Sequence, residues 1–213
     1  VGANYLPAHC ANALDMFAPE SFDATLLAAE RELRVASAVG FSTMRIFLHE
    51  ELYFRQPATF IANIERLLSV LGRLGMVAML VLFDAVWRPD LESATVLPGI
   101  HNSAWVQCPS HRLLRAYVSG DAVAAQRLRS YVMGVVGRFG SDPRVAVWDI
   151  YNEASMTHTE HWILPRLMGE YGWKGVPAHW LLDEEKLAAT MRLLVDAFAW
   201  ARSTRPTQPL TSG

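Results

Sequence analysis

The stretch that decides the fold is "VAVWDIYNE", Val145 to Glu153, entered from the turn pair Asp142-Pro143. Its first four residues are apolar, β-branched or aromatic, so it reads as a strand that starts at a turn. It finishes on an amide and a carboxylate, Asn152 and Glu153, polar side chains that a buried strand does not end on without a use for them.

Working outward, short apolar runs alternate with longer segments of helical period. This is the pattern of βα units and a parallel sheet. Gly2 to Leu6 is a first strand, followed by a helix over about 25–39 with Asp23 as its expected cap and Leu26, Ala29, Leu33 and Ala36 on its inner face. Gly40 stops it, and Thr43 to Leu48 is the second strand. A helix from about Ala58 carries Phe60, Ile61, Ile64, Leu67, Leu68, Leu71 and Leu74 on one face and ends at Gly75, ahead of the strand Met76 to Phe83. After Asp121, a helix with Leu128, Tyr131, Val132, Val135, Val136 and Phe139 inward leads to the opening strand. A fourth helix, with Asp183 as its expected cap, runs to about Ser203, and 208–213 begins a fifth strand.

No Gly-rich phosphate loop follows the first strand, which favours a closed barrel over a doubly wound sheet. The expected fold is therefore α/β: a (β/α)8 barrel truncated to about its first four βα units and the start of strand five. Residues 1–213 are expected to be the N-terminal part of one barrel domain.

The chain has 213 residues, 52% hydrophobic, with 19 Lys+Arg against 21 Asp+Glu and no long run of either sign. Nucleic acid and an anionic membrane are not indicated as partners. The longest apolar stretch, Met76 to Phe83, falls far short of the roughly 20 residues of a membrane-spanning helix. No basic segment followed by an apolar run marks a signal peptide. Cys10 and Cys108 form no disulfide framework or zinc spacing and are expected as free thiols. No P-loop or G-x-S-x-G is present, so phosphoryl and acyl transfer have no support. His158, Glu160 and His161 do not space their histidines as a helical zinc site does. No metal or cofactor is expected.

Barrel active sites gather at the C-terminal strand ends. This singles out Arg45 and His49, Asp84, and Asn152 with Glu153. The connections over about 85–120 and 154–182 exceed usual βα loop lengths and hold five of the seven tryptophans: Trp87, Trp105, Trp162, Trp173 and Trp180. Flat rings beside amides, carboxylates and histidines suit sugars, with loop mini-cores as the plain alternative for any one ring. His101 and Asn102, next to Trp105, join the candidate cleft. Glu153, partly desolvated there, suits a general acid, with Asn152 on a neighbouring hydroxyl. The plain alternative for Glu153 is an ion pair with Arg45. Asp149 reads as structural.

Trp-Asp-Ile-Tyr-Asn-Glu resembles the fourth-strand signature of the clan A retaining glycoside hydrolases, which share a (β/α)8 barrel. Family 10 xylanases have a similar W-D-x-x-N-E, and Thr43 to Ile46 resembles the second-strand arginine segment of family 5. With "GANYLP", "PGIHNSAWVQCP" and "PLTSG", the whole chain is most similar to bacterial family 5-like proteins of the cellulase or 1,4-β-xylanase type. The resemblance implies Glu153 as acid/base, Asn152 on the sugar 2-hydroxyl, Arg45 as support for the catalytic carboxylates, a β-linked glycan as substrate, and export. Phe83-Asp84 departs from the pattern, since family 5 cellulases often have a histidine nearby. The clan nucleophile is a strand-seven Glu, and after Glu185 the only acidic residue here is Asp196, inside a helix. Asp84 as the base of an inverting scheme is the weaker option. A non-catalytic half barrel that binds carbohydrate or self-assembles is the rival expectation, because its open edges and uncovered apolar faces favour aggregation or self-association.

Overall fold

Strands β2 (Thr43–Phe47), β3 (Val77–Asp84) and β4 (Val145–Asn152) form the centre of a parallel sheet, flanked by β1 (Gly2–Asn4) and β5 (Leu210–Thr211). The computed structural model describes residues 1–86, 104–155 and 184–213. Every pairing is parallel, and the spatial order is β1-β2-β3-β4-β5. Sequence order and spatial order coincide, with no reversal point. This is the singly wound course of a barrel rather than the reversing order of a doubly wound sheet.

Seven helices accompany the described strands: α1 (Ala13–Met16), α2 (Phe22–Ala38), α3 (Glu50–Arg55), α4 (Pro57–Arg73), α5 (His111–Val118), α6 (Ala122–Phe139) and α7 (Glu184–Ser203). Their inner faces follow the apolar period. Leu128, Tyr131, Val132, Val135, Val136 and Phe139 of α6 are all buried, as are Ile64, Leu67, Leu68 and Leu71 of α4. Phe83 of β3 lies between Tyr131 of α6 and Tyr151 of β4, with ring centroids 5.6 and 5.5 Å away. Among the described residues no helix is long and apolar enough to cross a membrane.

Asp121 caps α6 through bonds from the amides of Val123 and Ala124, as its place before the apolar period predicts. Gly40 and Gly75 follow α2 and α4 with φ of 98° and 71°, a left-handed stop that glycine adopts without strain. Three expectations change. Asp23 does not cap α2: it lies inside the first turn and pairs with Arg66 of α4 across 2.6 Å. The segment expected as one long loop over 85–120 contains α5, capped by Ser110. A short helix, α3, directly follows β2. Asp183 lies outside the described residues.

The exit of α6 shows how little room the fold leaves. A Cβ on Gly140 would meet the carbonyl oxygen of Val136 at 2.6 Å and Pro206 at 3.2 Å, whereas one on Gly137 would meet only Thr204, at 3.7 Å. Gly140→Ala is expected to destabilise the protein by about 1–3 kcal/mol through overpacking. Gly137→Ala, at an exposed position inside the helix, is expected to stabilise it by roughly 0.5–1 kcal/mol through propensity. Urea unfolding of both variants checks the opposite signs.

Candidate active site

Arg45 reaches from β2 under the end of β4. Its Nε donates to Asp149 Oδ2 at 3.0 Å, its Nη2 pairs with the same carboxylate, and Nη2 also donates to Asn152 Oδ1 at 2.7 Å. Nη1 donates to Asn4 Oδ1 at 3.2 Å, from the end of β1. Asp149 is completely buried, so its charge is tolerable only because this guanidinium meets it.

The Asn152 amide is fixed at both ends, because its Nδ2 donates to Asp84 Oδ1 at 2.8 Å. Asp84 Oδ2 accepts from Trp105 Nε1 at 2.5 Å, and the Trp105 ring stands edge-on to Phe47 with centroids 5.0 Å apart. Phe47 lies beneath the Arg45 guanidinium, 4.7 Å from its carbon. The side chains thus close a ring: Arg45, Asn152, Asp84, Trp105, Phe47 and back to Arg45. Trp105 is brought there by an antiparallel bridge between Asp84 and Cys108 that folds its segment back against β3.

Burial pushes the Asp84 carboxyl up to about 6, against the lowering effect of bonds from Asn152, Trp105 and the Val86 amide, with the Glu153 charge adding to the rise. Both Asp84 oxygens are occupied by donors. That makes it a fixed acceptor and leaves it poorly suited to act as a free base for water.

Glu153 directly follows β4. Its backbone is left-handed, with φ of 52°, a conformation that costs a residue with a Cβ roughly 1 kcal/mol or more. Its N–H donates to the Gly213 carbonyl at 3.1 Å, beyond β5. The expected alternative, an ion pair with Arg45, is not formed; Arg45 is taken up by Asp149, Asn152 and Asn4. Glu153 Oε2 is buried without a hydrogen-bond partner among the described residues.

These groups border a cleft of about 640 Å³, whose described walls include Asn4, Tyr5, Cys10, Arg45, Phe47, Asp84, Trp105, Asn152 and Glu153. Asn4 and Phe47 were missed from sequence, although they end β1 and β2 and the rule that flagged Arg45 applies equally to them. Trp87, His101 and Asn102 lie outside the described residues, as do Trp162, Trp173, Trp180 and the group His158, Glu160 and His161.

His49 is a correction. It does not border the cleft: it is buried, accepts from the Glu51 amide through Nδ1 as the cap of α3, and places Nε2 on the Gln107 carbonyl at 3.0 Å. Burial holds its pKa down to about 4, so the ring is neutral and both nitrogens serve the scaffold. Next to it, Glu50 and Glu51 share Arg127 of α6.

No family model matches the sequence, and no curated protein does. Solved structures do match. The exo-β-1,4-mannosidase Op5Man5 from Opitutaceae bacterium strain TAV5 superposes with a TM-score of 0.59 at 18% identity, over 100% of this chain and 31% of that one. The chain folds as part of a (β/α)8 barrel. GH5_18 from Streptomyces cattleya in complex with GlcNAc matches with a TM-score of 0.56 at 16% identity, over 98% of this chain and 42% of that one. Another structure of GH5_18 from that organism, with Manβ1-4GlcNAc, has a TM-score of 0.57 at 16% identity, over 98% and 43%. This chain thus spans less than half the length of each. At these identities the likeness is one of fold, part of a (β/α)8 barrel.

Glu50 supplies a test of the scaffold beneath the site. Burial raises its carboxyl to about 7 from 4.5, outweighing the lowering effect of Arg127. The folded state therefore keeps this proton to higher pH than the unfolded chain does, and stability falls as pH rises through the window from about 4.5 to about 7. Glu50→Gln removes this contribution. Its stability relative to the parent is expected to improve steadily across the window in a pH series of urea unfolding curves; a flat difference would refute it.

Proposed function

We propose that residues 1–213 supply the N-terminal part of a single (β/α)8 catalytic domain of a retaining glycoside hydrolase, with Glu153 as its acid/base. The observation that carries this reading is Glu153 itself: a carboxyl at the end of β4, on a left-handed backbone, with one oxygen buried and unpartnered among the described residues, facing a cleft. A carboxyl so placed has an oxygen open to the leaving oxygen of a bound ligand.

The chemistry follows. Glu153 donates its proton to the glycosidic oxygen as the bond to the anomeric carbon breaks. A second carboxylate, roughly 5 Å away, attacks that carbon and forms the glycosyl-enzyme. Glu153, now ionised, takes a proton from water as the water displaces the nucleophile. The clan's strand-seven glutamate has no counterpart among these residues, so the nucleophile comes from outside them. Arg45 and Asp149 stiffen the strand that presents Glu153. Asn152 keeps one N–H and one lone pair for a sugar hydroxyl after its two protein bonds, and Trp105 offers a ring.

The substrate class is a β-linked glucan, xylan or mannan. The β-1,4-mannosidase activity and the Manβ1-4GlcNAc named for the structural relatives support a β-1,4 linkage.

The test uses a polypeptide that contains these residues together with the nucleophile. Glu153→Gln is expected to slow hydrolysis of β-1,4-linked glucan, xylan or mannan by about 10²- to 10⁴-fold. Aryl glycosides with good leaving groups should still form the glycosyl-enzyme, and azide should restore their turnover. Unchanged hydrolysis of the natural glycan would refute the role of Glu153, and glycan binding by the parent without any hydrolysis would favour a non-catalytic carbohydrate-binding module.

A further inference from the structure

We infer that Asp84 is a positioning residue that sets the Asn152 amide and the Trp105 ring together, and that this position demands an acceptor-only side chain. The inference rests on the glycan reading of the cleft for its purpose, and on geometry for its substance.

Two side-chain donors converge on Asp84. Asn152 Nδ2 approaches Oδ1 at 2.8 Å, and Trp105 Nε1 approaches Oδ2 at 2.5 Å, with the Val86 amide also on Oδ1 at 3.2 Å. An ionised carboxylate accepts on both oxygens. An asparagine there would turn its NH2 towards one of the two N–H groups, donor against donor. A neutral histidine has a single acceptor nitrogen. Either replacement satisfies one partner at the expense of the other.

The far ends of the two donors explain why this matters. Asn152 Oδ1 is taken by Arg45 at 2.7 Å, so the amide can turn in only one sense while Asp84 accepts from its other end. The Trp105 ring is braced against Phe47 on one side and tethered by its indole nitrogen on the other. Asp84 is only 4% exposed, so neither bond competes freely with water. One carboxylate therefore aligns a sugar-facing amide from β4 with an aromatic ring from the segment that returns to β3.

The experiment reads both bonds without relying on catalysis. In 15N-labelled protein, Trp105→Phe identifies the Trp105 indole signal, expected far downfield, and Asn152→Asp identifies the side-chain amide pair. Asp84→Asn is expected to move the indole signal upfield or to abolish the asymmetry of the Asn152 amide pair, and to weaken binding of a β-1,4-linked oligosaccharide by about 10- to 100-fold. Adding Trp105→Phe removes the donor conflict, so the Asn152 pair in the double variant should return to its parental position. If Asp84→Asn does not fold, Trp105→Phe alone decides: losing that donor should raise the titration midpoint of the Asp84 carboxyl carbon above about 6, because the indole bond lowers it. Parental indole and amide signals in folded Asp84→Asn, or an unmoved Asp84 titration in Trp105→Phe, would overturn the inference. Failure of the parent to bind glycan would sink the functional reading alone, and the two sets of signals would still decide the role of Asp84.

Discussion

Asp149 has no contact with solvent, and the Arg45 guanidinium is what makes its charge bearable. Leaving one member of such a pair unmatched in a protein interior costs on the order of 3–5 kcal/mol. That penalty fixes the position of Arg45, and Arg45 in turn orients Asn152 and Asn4 and rests on Phe47. The geometry of the cleft is thus anchored by an electrostatic requirement below it, on strands whose parallel pairing is itself set by apolar burial.

The contrast between Asp149 and Asp84 shows how two buried carboxylates on neighbouring strands come to different uses. Asp149 answers a cation. Asp84 answers neutral donors, and burial raises its pKa to about 6, with the Glu153 charge adding to the rise and no full positive charge among the described residues set against it. Glu153 differs from both, with one oxygen left without a partner among the described residues. A group with its bonds filled is a strut; a group with one open is available to a ligand.

Much of this was legible in the sequence. The runs at 43–48, 76–83 and 145–152 are apolar enough to mark strands, and the spacing of Leu128, Tyr131, Val135 and Phe139 marks a helix, because burial leaves a period in the chain. Asn152 and Glu153 stood out as polar residues at the end of such a run. His49 misled for the same reason: it follows Leu48 as a strand-end residue should, yet the acidic pair Glu50-Glu51 behind it opens a helix, and a helix start recruits its side chain as a cap. The bond between Asp84 and Trp105 was not legible, since it depends on a bridge between Asp84 and Cys108 that no local pattern announces.

The tether from the Glu153 N–H to the Gly213 carbonyl has a consequence for biosynthesis. A nascent chain leaves the ribosome from its N-terminus, so β1 to β4 can pair before residue 213 has been made. Until that residue arrives, the bond from the Glu153 N–H is missing, and position 213 itself suits glycine, since a Cβ there would press on Arg45 at 3.1 Å and Asn152 at 3.3 Å. The backbone bond at the proposed acid is therefore completed only after the succeeding strand has been made, and a polypeptide halted before residue 213 would lack it.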